Sequence, residues 1–212
     1  ILRHKKLGNI VIEPFKKENL ATSSYDVSLG EWYFREQRQN FDVYNPFNKK
    51  QTDKVWGLKP QKAEVAKKVL KDFEFTGIKP NDKIILISPG ETILAHTEEF
   101  LGGRKEVTTM MKARSSMGRN FIEVCKCAGW GDVGFFNRWT MEITNNSRFY
   151  TIPLVVSRRI AQIVFFHVGP VLKGDYSSTG KYQSTKILKK MKKEWNPTSM
   201  LPKLYKDREI KK

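Results

Sequence analysis

Short apolar runs separated by turn-forming residues fill the middle of the chain. Each run is rich in β-branched or aromatic side chains, which pack well on a pleated surface. Gly, Pro, Asn and Ser stand between the runs and supply turn conformations. The runs cover residues 84–87, 92–95, 121–127, 139–144, 151–156 and 160–168. Several short strands at near-regular spacing predict a mainly β domain, built as a sandwich or jelly roll.

The segment 40–80, which precedes these strands, is polar, rich in lysine and only weakly periodic. Within it, residues 61–72 fit a short helix. One side of that helix would carry Ala63, Ala66, Val69 and Leu70. The same stretch also fits an irregular excursion on the domain surface, and the pattern leaves both open.

An amphipathic, basic helix is predicted at 186–195, where Ile187, Leu188, Met191 and Trp195 lie opposite lysines. We expect its apolar side to pack on the strands with its lysines in water. The alternative is contact with nucleic acid or a membrane surface. The chain thus divides into a domain over 1–185 and a basic helix and tail over 186–212, the tail being free or an arm around another subunit.

Composition indicates a globular protein with a strongly basic surface. The 212 residues suit one domain, and 39% hydrophobic with 12% aromatic residues supply a core. The net charge of +17 favours phosphate-bearing partners. Small-molecule phosphate enzymes are often basic too, so we prefer a basic surface without a nucleic-acid role.

The two cysteines and the lack of long apolar runs predict an intracellular, cytoplasmic protein that does not enter a membrane. Cys125 and Cys127 would share one face of a strand, and so short a loop strains a disulfide. This argues for a reducing compartment, which would be the host cytoplasm if the source is viral. No run approaches the roughly 18–20 apolar residues of a membrane helix, and no signal-like core follows the start.

The densest group of chemically useful side chains lies between residues 113 and 142. Two arginines, Arg114 and Arg119, flank two serine hydroxyls, which is typical of an anion cradle. Asp132 stands in a glycine-rich turn that can present a carboxylate to a sugar hydroxyl. Glu142 interrupts an apolar strand, where burial would raise its pKa toward a value useful for moving protons. On the pattern alone, Glu142 could equally face solvent.

These residues fall in motifs that resemble those of dCTP deaminases. Residues 113–119, Ala-Arg-Ser-Ser-Met-Gly-Arg, are similar to the family's Gly-Arg-Ser-Ser-x-x-Arg. Residues 127–135, Cys-Ala-Gly-Trp-Gly-Asp-Val-Gly-Phe, resemble Thr-Ala-Gly-x-Ile-Asp-x-Gly-Phe, and Glu142 follows at the family spacing. Shorter matches occur at 23–30, 88–91, 159–163 and 180–183, so the resemblance covers most of the chain.

The resemblance implies a distorted jelly-roll β-barrel of the trimeric dUTPase-like type, with three active sites between subunits. Glu142 would be the general base and acid that activates water for attack on cytosine C4, without zinc. Ser115 and the Ala128 backbone would orient that water, and Arg119 would support the charge balance. The triphosphate would bind with Mg²⁺, and Asp132 would take the 3′-hydroxyl. The implied nucleotide-binding residues are Arg114, Ser116, Trp130, Asp132, Tyr176, Lys181 and Gln183.

Four positions depart from the family pattern. Cys125 replaces a usual His, Cys127 a usual Thr, Ser28 a usual Arg, and Thr185 a common Gln. The cysteine pair bears on feedback control by dTTP rather than on the chemistry. Thr185 bears on the contacts of the lid, the segment 176–185 that would close over the phosphates.

A zinc deaminase is a further possibility, because His96 and Glu98 match half of that signature and two cysteines are present. Zinc sites of that class need Pro-Cys-x-x-Cys at a helix start, so that both sulfurs converge on the ion. Cys125-Lys126-Cys127 lacks this spacing. We therefore expect no zinc.

Three functions remain in order of preference. The first is dCTP deaminase yielding dUTP, or dUMP and diphosphate directly, since Gly129 resembles bifunctional members. The second is a plain dUTPase, which would not need Glu142 and usually carries Ser-Gly where this chain has Ser115-Ser116. The third is a non-catalytic protein that binds nucleic acid.

Overall fold

The computed structural model describes residues 1–172, 174–183 and 185–210, with only the backbone of Thr179. Ser184, in the predicted lid motif, and residues 211–212, in the predicted tail, lie outside the described residues.

Thirteen strands, six short α-helices and three 3₁₀ turns, Lys17–Asn19, Pro197–Met200 and Leu204–Lys206, make up the described chain. The strands are β1 (Ile10–Glu13), β2 (Ser24–Ser28), β3 (Trp32–Arg35), β4 (Gln61–Lys62), β5 (Glu64–Val65), β6 (Lys83–Ile87), β7 (Thr92–Gly103), β8 (Val107–Ala113), β9 (Ile122–Val124), β10 (Trp130–Gly131), β11 (Phe136–Asn145), β12 (Ile152–Val155) and β13 (Arg159–His167). The helices are α1 (Leu2–Lys6), α2 (Lys49–Trp56), α3 (Ala66–Val69), α4 (Ser115–Gly118), α5 (Tyr176–Thr179) and α6 (Leu188–Glu194). No helix of the described residues is long and apolar enough to cross a membrane.

The strands pair antiparallel in three sheets, which confirms the mainly β prediction. The largest runs β4-β3-β7-β11-β9, with β1 also paired to β7. The others run β10-β8-β13-β2 and β12-β6-β5. The described ladders do not join into one closed barrel, and the jelly-roll arrangement stays a prediction.

The side chains of β11 alternate between the hydrophobic core and the opposite face of the sheet. Trp139, Met141 and Ile143 point into the main hydrophobic core. Because successive side chains of a strand point to opposite faces, Thr140 and Glu142 lie on the other face. That second face carries the candidate chemistry described below.

Of the two possibilities left open for 61–72, the short helix is found only at Ala66–Val69. Gln61–Lys62 pairs with β3, and Glu64–Val65 pairs with β6, so only Ala66–Val69 forms one helical turn. Ladder hydrogen bonds here outweigh a weak helical periodicity. The excursion also contains a helix that the periodicity did not indicate, α2, whose start is capped by the Asn48 side chain.

The prediction that the two cysteines share one face of a strand is wrong. Strand β9 ends at Val124, and Cys125 and Lys126 have positive φ angles of 64° and 42°. This turn buries Cys125 and exposes Cys127, and both thiols are free.

The C-terminal helix is confirmed at Leu188–Glu194, and its apolar side packs on the sheet as expected. Leu188, Met191 and Trp195 contact a cluster formed by Val11, Phe100 and Phe136. Ile187 was expected on the same side, but it precedes the helix and is 62% exposed.

Candidate active site

A cavity of about 380 Å³ covers the outer face of β11. It falls in the size range of small-molecule sites. Five of the predicted residues line it together: Ala128, Trp130, Asp132, Glu142 and Tyr176. The structure therefore brings together most of the second motif, the predicted proton-transfer residue and the start of the lid.

Glu142 lies half-buried in this cavity. Burial raises the pKa of its carboxyl group, and the Lys126 charge opposes part of that rise. The Glu142 main-chain carbonyl accepts from Cys125 N–H at 2.9 Å, which ties β11 to the Cys125 turn. A carboxyl group whose pKa is raised can both accept a proton and return it near neutral pH.

The turn that carries Asp132 depends on two glycines. A Cβ at Gly131 would stand 2.5 Å from Trp139 Cζ2, and a Cβ at Gly129 would collide with the Met111 carbonyl oxygen. Only glycine allows these close approaches, which leave Asp132 exposed at the cavity rim. Gly129 thus has a packing reason independent of any bifunctional chemistry.

Tyr176 and Gln183 of the lid make different contacts. The Tyr176 hydroxyl accepts from Tyr182 N–H at 3.3 Å, and its ring meets the Phe135 ring edge-on at 5.2 Å. Gln183 accepts from Phe136 N–H and donates to the Gly134 carbonyl, both at 2.9 Å. Its amide therefore fastens the lid to the turn before β11, and its nucleotide contact stays a prediction.

The motif at residues 113–119 lies outside the cavity of its own chain. Ser115, Ser116 and Arg119 are exposed on or beside helix α4 and do not line the cavity. Arg114 lines a separate groove of about 590 Å³. Its Nε lies 3.5 Å from the Asp26 carboxylate, which also pairs with Arg159 at 2.8 Å.

Several lining residues were missed by the sequence analysis. Arg138 lies in the cavity wall between the rings of Phe100, at 5.0 Å, and Trp195, at 4.6 Å, and donates from Nε to the Glu98 carbonyl. The sequence did carry one signal for Arg138. It stands four residues before Glu142, and residues an even number of positions apart on a strand lie on the same face. Met200 also lines the cavity, but nothing in the sequence pattern indicates that a tail residue returns to β11.

His96, which matches part of the zinc-deaminase signature, is held by contacts within the fold. His96 is buried, with Nδ1 2.8 Å from the Thr97 carbonyl oxygen and Nε2 3.3 Å from Trp32 N–H. Burial lowers the pKa of His96 to about 4. Among the residues described, no group of three or more His, Cys, Asp or Glu side chains could hold a metal ion. A Mg²⁺ ion bound with the nucleotide would be coordinated mainly by triphosphate oxygens and would need few protein ligands.

Comparison with known proteins agrees with these motifs. The family profile described as dCTP deaminase-like matches residues 1–168. The chain is 27% identical over 177 residues to a dUMP-forming dCTP deaminase of Nanoarchaeum equitans, covering 84% of this chain and 86% of that protein. It is 32% identical over 168 residues to one of Hydrogenobaculum, covering 78% and 77%.

A solved structure supports the likeness of fold. The 2′-deoxycytidine 5′-triphosphate deaminase of Agrobacterium tumefaciens superposes with a TM-score of 0.51 at 17% identity. The match covers 77% of this chain and 45% of that one. The profile match over most of the sequence shows that the chain belongs to the dCTP deaminase-like family.

Proposed function

We propose that the protein is a dCTP deaminase that uses a Glu142-activated water and no zinc. Glu142 takes a proton from the water, and the resulting hydroxide adds to cytosine C4. Glu142 then delivers the proton to the amino group and ammonia leaves, and the proton of the added hydroxyl moves from O4 to N3, which gives the uracil of dUTP. The observation that carries this proposal is a half-buried carboxyl group with a raised pKa in the cavity that also holds Asp132 and Ala128.

The active site is completed by a second copy of the chain in a homotrimer. Ser115, Ser116 and Arg119 are exposed and outside the cavity, so another subunit must supply them if they contact the nucleotide. An exposed aromatic pair next to the cavity, Trp130 stacked on Phe166 at 6.3 Å, suits such a subunit contact.

The nucleotide binds with Mg²⁺, which would neutralise charge on the triphosphate. Asp132 accepts from the deoxyribose 3′-hydroxyl, and Tyr176 and Lys181 close over the phosphates. Arg114 and Ser116 of the neighbouring copy would supply the other phosphate contacts.

Continuation to dUMP and diphosphate is the favoured outcome, since the relatives named above are dUMP-forming. A plain dUTPase is the second candidate, because Asp132 in its glycine turn would suit that reaction too. Deamination is preferred because a dUTPase would have no use for the Glu142 carboxyl group. A nucleic-acid-binding protein without turnover ranks third, on the net charge of +17 alone.

Product analysis tests the proposal. The purified protein is incubated with dCTP and Mg²⁺, and the products are separated by ion exchange. A dUTP peak supports deamination, and dUMP with diphosphate supports the bifunctional form. Unchanged dCTP with hydrolysis of added dUTP would move the assignment to dUTPase. Survival of both nucleotides would reject the catalytic proposal.

Subunit mixing tests the shared site. Glu142→Gln and Ser115→Ala should each be inactive alone. Mixed after dissociation and reassociation, they should regain part of the activity, because some sites then combine an intact Glu142 with an intact Ser115. A mixture as inactive as its parents would show that each site lies within one chain.

A further inference from the structure

The chain beyond the family match builds one wall of the Glu142 cavity. Trp195 and Met200 both line it, opposite β11. Met200 is 3% exposed and packs with Phe34 and Leu94, so this wall is anchored in the fold. The family profile ends at residue 168, well before this segment.

A second, smaller cavity of about 130 Å³ adjoins the first. The two share the lining residues Asn137, Tyr182, Trp195 and Ser199. The smaller one also contains two lysines, Lys181 and Lys203, and one acidic residue, Glu194, which pairs with Lys190 at 3.7 Å. A nucleotide with its base beside Glu142 has its phosphates free to extend toward these lysines.

Lys203 is held in place by three contacts. Its backbone N–H donates to the Tyr182 hydroxyl at 3.0 Å, and Nζ donates to the Lys181 carbonyl at 3.1 Å. Nζ also lies 4.9 Å from the centre of the Tyr182 ring. These contacts fix the ammonium group at the wall of the smaller cavity.

No carboxylate within the described residues forms an ion pair with Lys203. Burial lowers the pKa of Lys203, and the Lys206 charge lowers it further. A half-buried ammonium group without a counter-ion is costly. An anion in the cavity would therefore bind favourably at this position.

Lys181 already has an anionic partner in the tail. Its ammonium group donates to the Asp207 carboxylate, which raises the pKa of Lys181. Carboxylate and phosphate oxygens are equivalent partners for a lysine. A phosphate that reaches Lys181 would therefore compete with Asp207 for the ammonium group.

We propose that the C-terminal segment supplies Lys203 as a second phosphate ligand beside Lys181, and that Asp207 holds Lys181 until the triphosphate displaces it. This inference rests on the proposed function, and it assigns part of the triphosphate site to residues outside the matched family region. The ligand class is a nucleoside triphosphate.

The test compares dCTP with deoxycytidine, which lacks phosphates. Both are titrated by calorimetry into Glu142→Gln protein, in which turnover of dCTP should be at least about 100-fold slower. Adding Lys203→Met, which keeps the aliphatic stem on Tyr182, should weaken dCTP binding by roughly 10- to 100-fold, since a charged hydrogen bond is lost. Deoxycytidine binding should not change. Lys193→Met, on the exposed face of α6, is the matched control and should bind both ligands as its parent does.

Asp207→Asn provides the opposite change. It frees Lys181 and should tighten dCTP binding several-fold, with no effect on deoxycytidine. A segment that is only structural would give weaker binding with either variant. Lys203→Arg keeps the charge and should retain most of the dCTP affinity.

The inference is overturned if Lys203→Met binds dCTP like its parent, or if Asp207→Asn weakens binding. It is also overturned if Lys203→Met loses dCTP and deoxycytidine equally, because Lys203 would then act through folding. Failure of the proposed function looks different. The wild-type protein would bind dCTP without converting it, and the comparison of variants would still decide the role of Lys203.

Discussion

Replacing Glu99 with Gln should stabilise the protein at neutral and alkaline pH and change little in acid. Glu99 lies on β7 and is fully buried, with 0% of its surface exposed. Its two carboxylate oxygens lie 3.0 and 3.3 Å from Ser28 N–H. Ser28 offers Glu99 a hydrogen bond but no positive charge.

Burial raises the pKa of Glu99 above its ordinary 4.5, and the Ser28 hydrogen bond offsets only part of that rise. The folded protein therefore keeps a proton that the unfolded chain loses. The stabilisation that this proton contributes is fully present below about pH 4.5 and is lost as the pH rises through the folded-state pKa of Glu99. Within that window the free energy of unfolding falls by about 1.4 kcal/mol per pH unit.

Urea unfolding between pH 4 and pH 9, at one protein concentration, measures the effect. The difference in unfolding free energy between Glu99→Gln and wild type should grow with pH and then level off. Gln can turn its carbonyl oxygen toward Ser28 N–H, so the hydrogen bond survives. Glu64→Gln, an exposed carboxyl group on β5, should follow wild type throughout. A Glu99→Gln curve parallel to wild type would refute the reasoning, since Glu99 would then be ionised in the folded protein.

Three further predictions follow from packing and exposure. Gly131→Ala should lower the free energy of unfolding, measured with urea, by about 1–3 kcal/mol, because the added Cβ would meet the Trp139 ring. Gly118→Ala is the control: its Cβ would enter open space, and the free energy of unfolding should change by less than about 0.5 kcal/mol. Met191→Ala should lower the free energy of unfolding by about 2–5 kcal/mol, whereas Ile187→Ala should leave it almost unchanged. Equal losses in the two variants would contradict the packing of α6. A thiol reagent should modify Cys127 in the native protein and reach Cys125 only after unfolding, because burial raises the pKa of the Cys125 thiol; mass spectrometry showing both modified at the same rate would contradict this.

Local patterns predicted those parts of the fold in which the local signal and the tertiary structure agree. The run at 84–87 became β6, and the amphipathic spacing at 186–195 became α6 packed on the sheet. The pattern over 61–72 could not decide between a helix and an irregular excursion, because pairing with β3 and β6 supplied hydrogen bonds that no local pattern reveals. Strand β8 went unrecognised, since its consecutive threonines and methionines do not alternate in polarity.

The candidate site could be predicted only in part. Ala128, Asp132 and Glu142 were identified because they lie in motifs, and the structure places all three around one cavity. The wall formed by Trp195 and Met200 could not be predicted, because it depends on a distant segment returning to β11. Such long-range contacts leave no periodic signal in the sequence.

The turnover of dCTP by Glu142→Gln is the most direct test of the central claim that Glu142 activates the attacking water. Gln keeps the size of the side chain but can neither take a proton from water nor return it. With wild type active, Glu142→Gln should lower kcat by about 10²- to 10⁴-fold, as expected for loss of general acid–base catalysis, while Glu64→Gln keeps wild-type kcat. A Glu142→Gln protein that deaminates dCTP at the wild-type rate would contradict the account and place the proton-transfer group elsewhere.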